Sequence, residues 1–165
     1  MTAKAKLVLG WLGLILIADQ LTKFIVDQTM PLHHSIPVID NLFSLTYIRN
    51  TGAAFGLLAG SPATFRLPFL LLFSLSAIGF ILTMLKRLPD RETGLITALA
   101  FILGGAIGNL IDRLAYGEVI DFLDFYWSRF HWPAFNLADS FITVGVLITV
   151  YYLVKPKGAD PFARD

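Results

Sequence analysis

Four long apolar stretches constrain the fold of this chain more than any other feature. They lie at about 7–26, 66–86, 94–114 and 137–154, and a helix needs roughly 20 such residues to cross the hydrocarbon core of a bilayer. Only 15% of the residues are charged, whereas soluble domains average about 25%. We therefore predict one membrane-embedded domain, 1–165, of the all-α class with four transmembrane helices.

The distribution of Lys and Arg predicts how these helices are oriented. Most of the 13 basic residues lie near the N-terminus, in the loop at 86–92 or in the C-terminal tail. Cytoplasmic loops are enriched in basic residues, so we expect both termini in the cytoplasm and the segments 27–65 and 115–136 on the outer side. The start of the chain resembles a signal peptide but has no small-residue cleavage site, and we interpret it as a retained first helix.

The first outer segment contains a pattern typical of a β-strand. Residues 43–50, FSLTYIRN, alternate apolar and polar side chains and are rich in β-formers. The small residues of NTGAAFG, 50–56, permit close approach of another backbone. We therefore predict a small extracytoplasmic β-sheet, or cradle, between helices 1 and 2. In the second outer segment, aromatic side chains are expected mainly to form a belt at the membrane interface: Tyr126, Trp127, Phe130 and Trp132.

Composition excludes several kinds of chemistry. The chain has no cysteine, so disulfides and thiolate nucleophiles are excluded. Its net charge of +1 does not indicate a nucleic-acid partner. His33, His34 and His131 have no partner at metal-ligand spacing, and Ser140 has no helix-borne base nearby in sequence. We expect no metal and no cofactor.

Several aspartates lie within or at the ends of the apolar stretches, where a charged side chain is expensive: Asp19, Asp112, Asp121 and Asp139. Asp19 and Lys23 are one helical turn apart and share a face, which predicts a structural ion pair. This pairing would let both charges enter the membrane.

The third apolar stretch combines small and polar residues. Gly104 and Gly108 lie one turn apart, a spacing that allows close helix packing in lipid. Asn109 shares a face with Asp112 and Arg113. Asp112 and Arg113 diverge by about 100° around the helix, so we expect their partners on the NTGAAFG segment or on the fourth helix.

Asp121 and Asp139 are predicted to meet. The third and fourth helices are antiparallel and joined on the outer side, which brings the exit of one to the entry of the other. Two adjacent carboxylates cannot both ionise cheaply and therefore titrate as a pair. Such a pair could act as an aspartic-protease dyad or as part of a proton relay. Asn136 lies at an N-cap-like position, and the helix N-terminus favours ionised Asp139.

Five motifs resemble, in order, those of the bacterial lipoprotein signal peptidase family, signal peptidase II. They are DQLTK (19–23), NTGAAFG (50–56), GGAIGNLIDR (104–113), VIDF (119–122) and FNLADS (135–140). The resemblance implies an aspartic endopeptidase in the bacterial cytoplasmic (inner) membrane, with its active site near the outer face. It would cleave prolipoprotein signal peptides before a diacylglyceryl-modified cysteine.

The resemblance also implies roles for particular residues. Asp121 and Asp139 would be catalytic. A further set would support the site or contact the substrate: Asp19, Lys23, Asn50, Gly52, Gly105, Asn109, Asp112, Arg113, Asn136 and Ala138. The implied partners are diacylglyceryl-modified signal peptides, membrane lipid and globomycin-type inhibitors, and one set of motifs per chain permits a working monomer.

Two other classes of protein remain open from the residues alone. A small proton-coupled transporter or channel subunit could use the same carboxylates as a relay, although the cytoplasmic halves of the helices lack acidic residues. A scaffold subunit could assemble through the glycine faces, but that would not explain polar residues at the helix mouths. Cleavage of a lipidated precursor by the purified chain would discriminate among the three.

Overall fold

A computed structural model describes residues 1–53 and 57–154 of the chain. Its helices are α1 (Ala3–Thr29), α2 (Ala63–Arg87), α3 (Thr93–Tyr116) and α4 (Leu137–Val154). Each is long and apolar enough to cross a membrane. The four predicted spans are therefore confirmed, and α1 continues at both ends beyond its apolar stretch.

Helix α3 is the centre of the helical part. The helices α1, α2 and α4 all pack against it. Most of the apolar stretch of α3 is buried, whereas only a small share of the apolar stretches of α2 and α4 is buried, as expected for helices that face lipid. Leucine and isoleucine side chains from α2, from α3 and from the loop between them form the main core: Ile81, Leu85, Leu88, Leu95, Ile96, Leu99 and Leu103.

Glycines allow α3 to approach its neighbours closely. A Cβ atom added at Gly104 would lie 2.9 Å from Ile15 Cγ2 of α1, and one at Gly108 would lie 2.6 Å from Asp19 Oδ2. These contacts confirm the predicted close packing at the two positions. Gly105 faces the other way, where an added Cβ would lie 2.7 Å from Ile142 Cγ1 of α4.

Both of the segments predicted to lie on the outer side, 27–65 and 115–136, contribute to one antiparallel sheet. Its strands are β1 (Ser35–Ile39), β2 (Phe43–Asn50), β3 (Val119–Trp127) and β4 (Phe130–His131), in the order β1-β2-β3-β4. Strand β2 coincides with the predicted strand. The predicted sheet between helices 1 and 2 is present, and it extends further than predicted, because β3 and β4 join it from the segment between α3 and α4. Ile48 pairs with Asp121, so the sheet carries a candidate site residue.

A polar cluster joins the sheet to the helices. Arg49 of β2 places Nη2 2.5 Å from Asp27 Oδ1 near the end of α1, and its Nε donates to the Tyr47 hydroxyl at 2.7 Å. That hydroxyl donates to Asp27. Burial raises the pKa of Tyr47, and the bond to Asp27 adds to the increase, so the hydroxyl keeps its proton. The guanidinium also lies 4.7 Å from the centre of the Tyr116 ring.

Candidate active site

Asp121 and Asp139 line the same cavity. Asp121 lies on β3, and Asp139 lies in the first turn of α4. The cavity has a volume of about 470 Å³, and its apolar walls are formed by Trp132–Phe135 and Ile142–Val144. Both carboxylates are largely buried. The structure thus brings together the two aspartates that the chain order predicted to meet.

Side-chain amides connect the two carboxylates. Asn50 donates to Asp121 Oδ2 at 2.9 Å, and Asn136 donates to Asp121 Oδ1 at 2.7 Å. Asn109 donates to Asp139 Oδ1 at 2.7 Å. The amide of Asn136 also donates to Asn109 Oδ1 at 3.1 Å. Asparagine amides from β2, from α3 and from the residue before α4 therefore restrain the pair.

Asn136 is the N-cap of α4. Its Oδ1 accepts the backbone N–H of Asp139 at 2.9 Å, and Asp139 Oδ2 accepts the backbone N–H of Asn136 at 3.4 Å. This reciprocal arrangement is a capping box. It confirms the predicted N-cap position and leaves Asp139 beside the positive end of the helix dipole.

The environment of Asp121 favours its protonated form. Strand β3 lies outside the membrane-spanning helices. Burial, and after it the negative charge of Asp139, raise the pKa of Asp121, and although the hydrogen bonds from Asn50 and Asn136 oppose them the pKa is about 7. At neutral pH a substantial fraction of Asp121 therefore carries a proton.

A buried ion cluster lies behind the pair. Lys23 Nζ lies 2.8 Å from Asp19 Oδ2 and 2.9 Å from Asp112 Oδ2. It also donates to Asn109 Oδ1 at 3.0 Å. The three charged side chains are at most 2% exposed. The predicted ion pair of Asp19 and Lys23 is confirmed.

The predicted partners of Asp112 are wrong. Its carboxylate contacts Lys23 and Gln20 of α1 and accepts the backbone N–H of Ile120 at 3.2 Å. The close approach at Gly108 explains this, because it brings the polar face of α1 against α3. Sequence reasoning missed Gln20, although an amide side chain inside an apolar helix needs a partner.

Arg113 reaches the NTGAAFG segment, as predicted. Its Nη2 donates to the carbonyl of Gly52 at 3.3 Å. The N–H of Gly52 in turn donates to Asn50 Oδ1 at 2.9 Å, which fixes the amide that faces Asp121. Residues 54–56 of the motif lie outside the described residues. Arg113 also lines the cavity.

Ala138 and Gly105 form the contact between α3 and α4 beneath the site. Ala138 is fully buried, and its carbonyl oxygen lies where a side chain at Gly105 would begin. The backbone N–H of Ala138 donates to Asp19 Oδ1 at 2.9 Å. Apart from Gly105, which serves the packing of α3 against α4, the candidate site residues named from the motifs lie in the cavity wall or in the polar contacts around it.

Comparison with known proteins gives one consistent family. Residues 11–155 match the sequence profile of Peptidase_A8, signal peptidase (SPase) II. The lipoprotein signal peptidase of Geobacter sulfurreducens is 53% identical over 142 residues, which cover 86% of this chain and 88% of that protein. The lipoprotein signal peptidase of Syntrophus aciditrophicus is 51% identical over 145 residues, which cover 88% of this chain and 90% of that protein.

A solved structure supports the same assignment. It is described as a bacterial membrane enzyme determined by the in meso method at 2.3 Å resolution. It is 30% identical to this chain with a TM-score of 0.79, and the match covers 93% of each chain. From the profile, the relatives and the fold together, this chain belongs to the lipoprotein signal peptidase family, signal peptidase II.

Proposed function

We propose that this protein removes signal peptides from prolipoproteins as an aspartic endopeptidase, with Asp121 and Asp139 as its catalytic dyad. One observation carries the proposal: the two carboxylates line one cavity and are joined through the amide and backbone of Asn136. The relatives' shared name supports the substrate class. The cleaved bond would precede the diacylglyceryl-modified cysteine, as the motif resemblance implies.

The two aspartates take different roles in this mechanism. Ionised Asp139 removes a proton from a water molecule, whose oxygen attacks the scissile carbonyl carbon. Protonated Asp121 transfers its proton to the carbonyl oxygen as the tetrahedral intermediate forms. When the C–N bond breaks, the proton held by Asp139 passes to the leaving amine, and Asp121 regains a proton as the carbonyl reforms.

The walls of the cavity suit a substrate that is anchored by lipid. One wall belongs to α4, a helix that would span the membrane, and the other carries Trp132 and Phe135 from the segment between β4 and α4. Apolar walls on both sides can receive a signal peptide helix and acyl chains without desolvating charge. Arg113 lies in the same cavity and supplies a cation near both carboxylates.

The proposed setting is the bacterial inner membrane, with both termini in the cytoplasm and the cavity near the outer face. The Lys and Arg distribution supports this orientation. A site near the interface would also have the water that hydrolysis consumes. One chain supplies both aspartates, so we propose that a monomer suffices.

The test is cleavage of a diacylglyceryl-modified prolipoprotein by the purified protein in detergent. Asp121→Asn and Asp139→Asn keep the size of the side chain and remove the titrating group. Each single variant should lose cleavage by about 10³-fold or more, and the double variant should lose little further, because the two residues act as a unit. Retained binding of a globomycin-type inhibitor would show that the variants are folded.

Asp124→Asn is the matched control. Asp124 lies on the same strand and is also buried, but its carboxylate contacts Thr46 and His131 on the sheet. Its variant should cleave at close to the wild-type rate. Near-normal cleavage by either Asp121→Asn or Asp139→Asn would overturn the dyad. Proton flux into vesicles without cleavage would favour the relay instead.

A further inference from the structure

A buried carboxylate on α1 holds the backbone next to one member of the dyad. Asp19 Oδ1 accepts the N–H of Ala138 at 2.9 Å. Ala138 directly precedes Asp139 and is fully buried. Since this bond fixes the peptide unit between Leu137 and Ala138, one unit before Asp139, it restrains the backbone from which that side chain starts.

A second buried carboxylate does the same for the other member. Asp112 Oδ2 accepts the N–H of Ile120 at 3.2 Å, and Ile120 directly precedes Asp121. The carbonyl of Ile120 accepts the amide of Asn136 at 3.2 Å. At Ile120, the edge of β3 that is not paired with β2 is therefore bonded by the side chains of Asp112 and Asn136 and not by a neighbouring strand.

Two side chains of α1, Lys23 and Gln20, join the accepting carboxylates of Asp19 and Asp112 to each other. Lys23 Nζ lies within 2.9 Å of both carboxylates. Gln20 Nε2 donates to Asp112 Oδ1 at 2.9 Å and to Asp19 Oδ2 at 3.2 Å. We call Asp19, Asp112, Lys23 and Gln20 the bridging cluster. It makes a continuous polar connection from the backbone N–H of Ile120 to the backbone N–H of Ala138, the residues that precede Asp121 and Asp139.

We propose that the bridging cluster sets the separation of the two catalytic aspartates, with Lys23 and Gln20 as positioning residues that hold its two carboxylates together. This inference rests on the proposed aspartic mechanism. Two carboxylates share a proton only while they are close, and their mutual repulsion tends to drive them apart. A rigid connection behind them opposes that repulsion.

An experiment can separate the effect of nearby charges on the dyad from the effect of the distance between its two carboxylates. The charged groups that face the dyad are Asp19 and Lys23 from α1, with Asp112 and Arg113 from α3. Changing Lys23 alters the field on the dyad as well as its geometry. Gln20 is neutral, so Gln20→Leu loosens the connection and leaves every one of these charges in place.

The first experiment measures kcat, KM and the pH dependence of kcat/KM for Gln20→Leu. We expect kcat to fall about tenfold, since small misplacements of catalytic groups are costly, with KM within about twofold of wild type. A dyad that shares one proton gives a bell-shaped dependence of kcat/KM on pH, with an acid limb and an alkaline limb. These two limbs should also move closer together, because carboxylates that lie farther apart repel each other less. A change that only reduced the folded fraction would leave the limbs where they are.

Gln28→Leu is the matched control on the same helix. Gln28 is exposed, and its amide donates to Asp27, away from the bridging cluster. This variant should keep the wild-type kcat and pH profile. The same measurements on Lys23→Met should show a larger loss, about 100-fold in kcat, provided that thermal unfolding and inhibitor binding show a folded protein.

The outcomes distinguish this inference from the proposed function. If wild type does not cleave the lipidated precursor, the proposed function fails. If wild type cleaves and Gln20→Leu keeps kcat, or loses it with both limbs unmoved, the positioning role fails while the dyad stands. Should Lys23→Met not fold, the profile of Gln20→Leu decides alone.

Discussion

Asn136 donates its side-chain amide to Asp121 at 2.7 Å while its Oδ1 caps the helix that carries Asp139. One residue therefore couples the start of a membrane-spanning helix to a carboxylate on the extramembrane sheet. The bond to Asp121 uses the NH2 group of the amide and the helix cap uses its oxygen, so substitutions can separate the two interactions.

Asn136→Ser should keep the helix cap and lose catalysis. Serine is as good an N-cap as asparagine, but its hydroxyl cannot reproduce the amide bonds to Asp121, Asn109 and Ile120. Asn136→Ala should lose both the helix cap and catalysis, and the loss of the cap should lower its free energy of unfolding by about 1 kcal/mol. Thermal unfolding and cleavage rates of the two variants would test this, and wild-type cleavage by the serine variant would contradict it.

The raised pKa of Asp121 makes stability depend on pH. Its folded value of about 7 exceeds the ordinary value of 3.8, so the folded chain holds this proton more tightly than the unfolded chain does. The contribution of Asp121 to the free energy of unfolding therefore falls as the pH rises from about 4 to about 7. Asp121→Asn should remove that fall, which amounts to roughly 4 kcal/mol.

Thermal unfolding in detergent at a series of pH values would measure this effect. The difference between Asp121→Asn and wild type should grow in favour of the variant up to about pH 7 and then level off. A variant curve parallel to wild type over the whole window would refute the raised pKa.

Activity should fall on the alkaline side with a midpoint near pH 7. Above that value Asp121 loses the proton that it would supply to the carbonyl oxygen in the proposed mechanism, so kcat/KM should drop about tenfold for each further pH unit. The acid limb reflects protonation of the general base. A rate that rises steadily from acid to alkaline pH would be incompatible with a dyad that shares one proton.

Arg49→Met should impair catalysis although Arg49 does not line the cavity. Arg49 ties β2 to Asp27 and Tyr116, and the next residue is Asn50, which donates to Asp121. Loss of a charged hydrogen bond costs about 1.5–3 kcal/mol, and the released strand should lower kcat by about tenfold. Arg129→Met, in the exposed turn of the β3–β4 hairpin, is the control and should be close to wild type in both measurements.

Gly105→Ala should separate α3 from α4. The new methyl group would meet the carbonyl oxygen of Ala138 and lie 2.7 Å from Ile142 Cγ1, so the backbone in front of Asp139 must move. Overpacking of this kind costs about 1–3 kcal/mol. Gly79→Ala on α2 has open space around it and should be neutral or slightly stabilising. Equal stability and equal cleavage for the two variants would contradict the close contact.

Local patterns predicted much of this fold. Apolar runs predicted the four helices, and alternation predicted β2 to the residue. Strand β3 was not predicted, although VIDFLDFYW is rich in β-formers, since Asp121 and Asp124 interrupt its apolar pattern. Its pairing with β2 joins residues that are distant in the chain, such as Ile48 and Asp121, and no local signal reports such a pairing.

In the site, too, a contact within one helix was predicted, whereas the contact of Asp112 with another helix was not. The ion pair of Asp19 and Lys23 follows from spacing on one helix. The bond from Asp112 to α1 depends on which faces of two helices meet, and the pattern within α3 does not specify that. Helix spacing therefore predicts neighbours on one element, whereas contacts between elements depend on packing.

The cavity wall formed by Ile142–Val144 belongs to a helix whose outer surface would face lipid. A ligand anchored in the same leaflet could reach the site by lateral diffusion, without first entering water. Encounter would then be a search in two dimensions, governed by the number of ligand molecules per unit area of membrane. Diluting the bilayer with inert lipid should slow such encounters even when the bulk concentrations of protein and ligand stay the same.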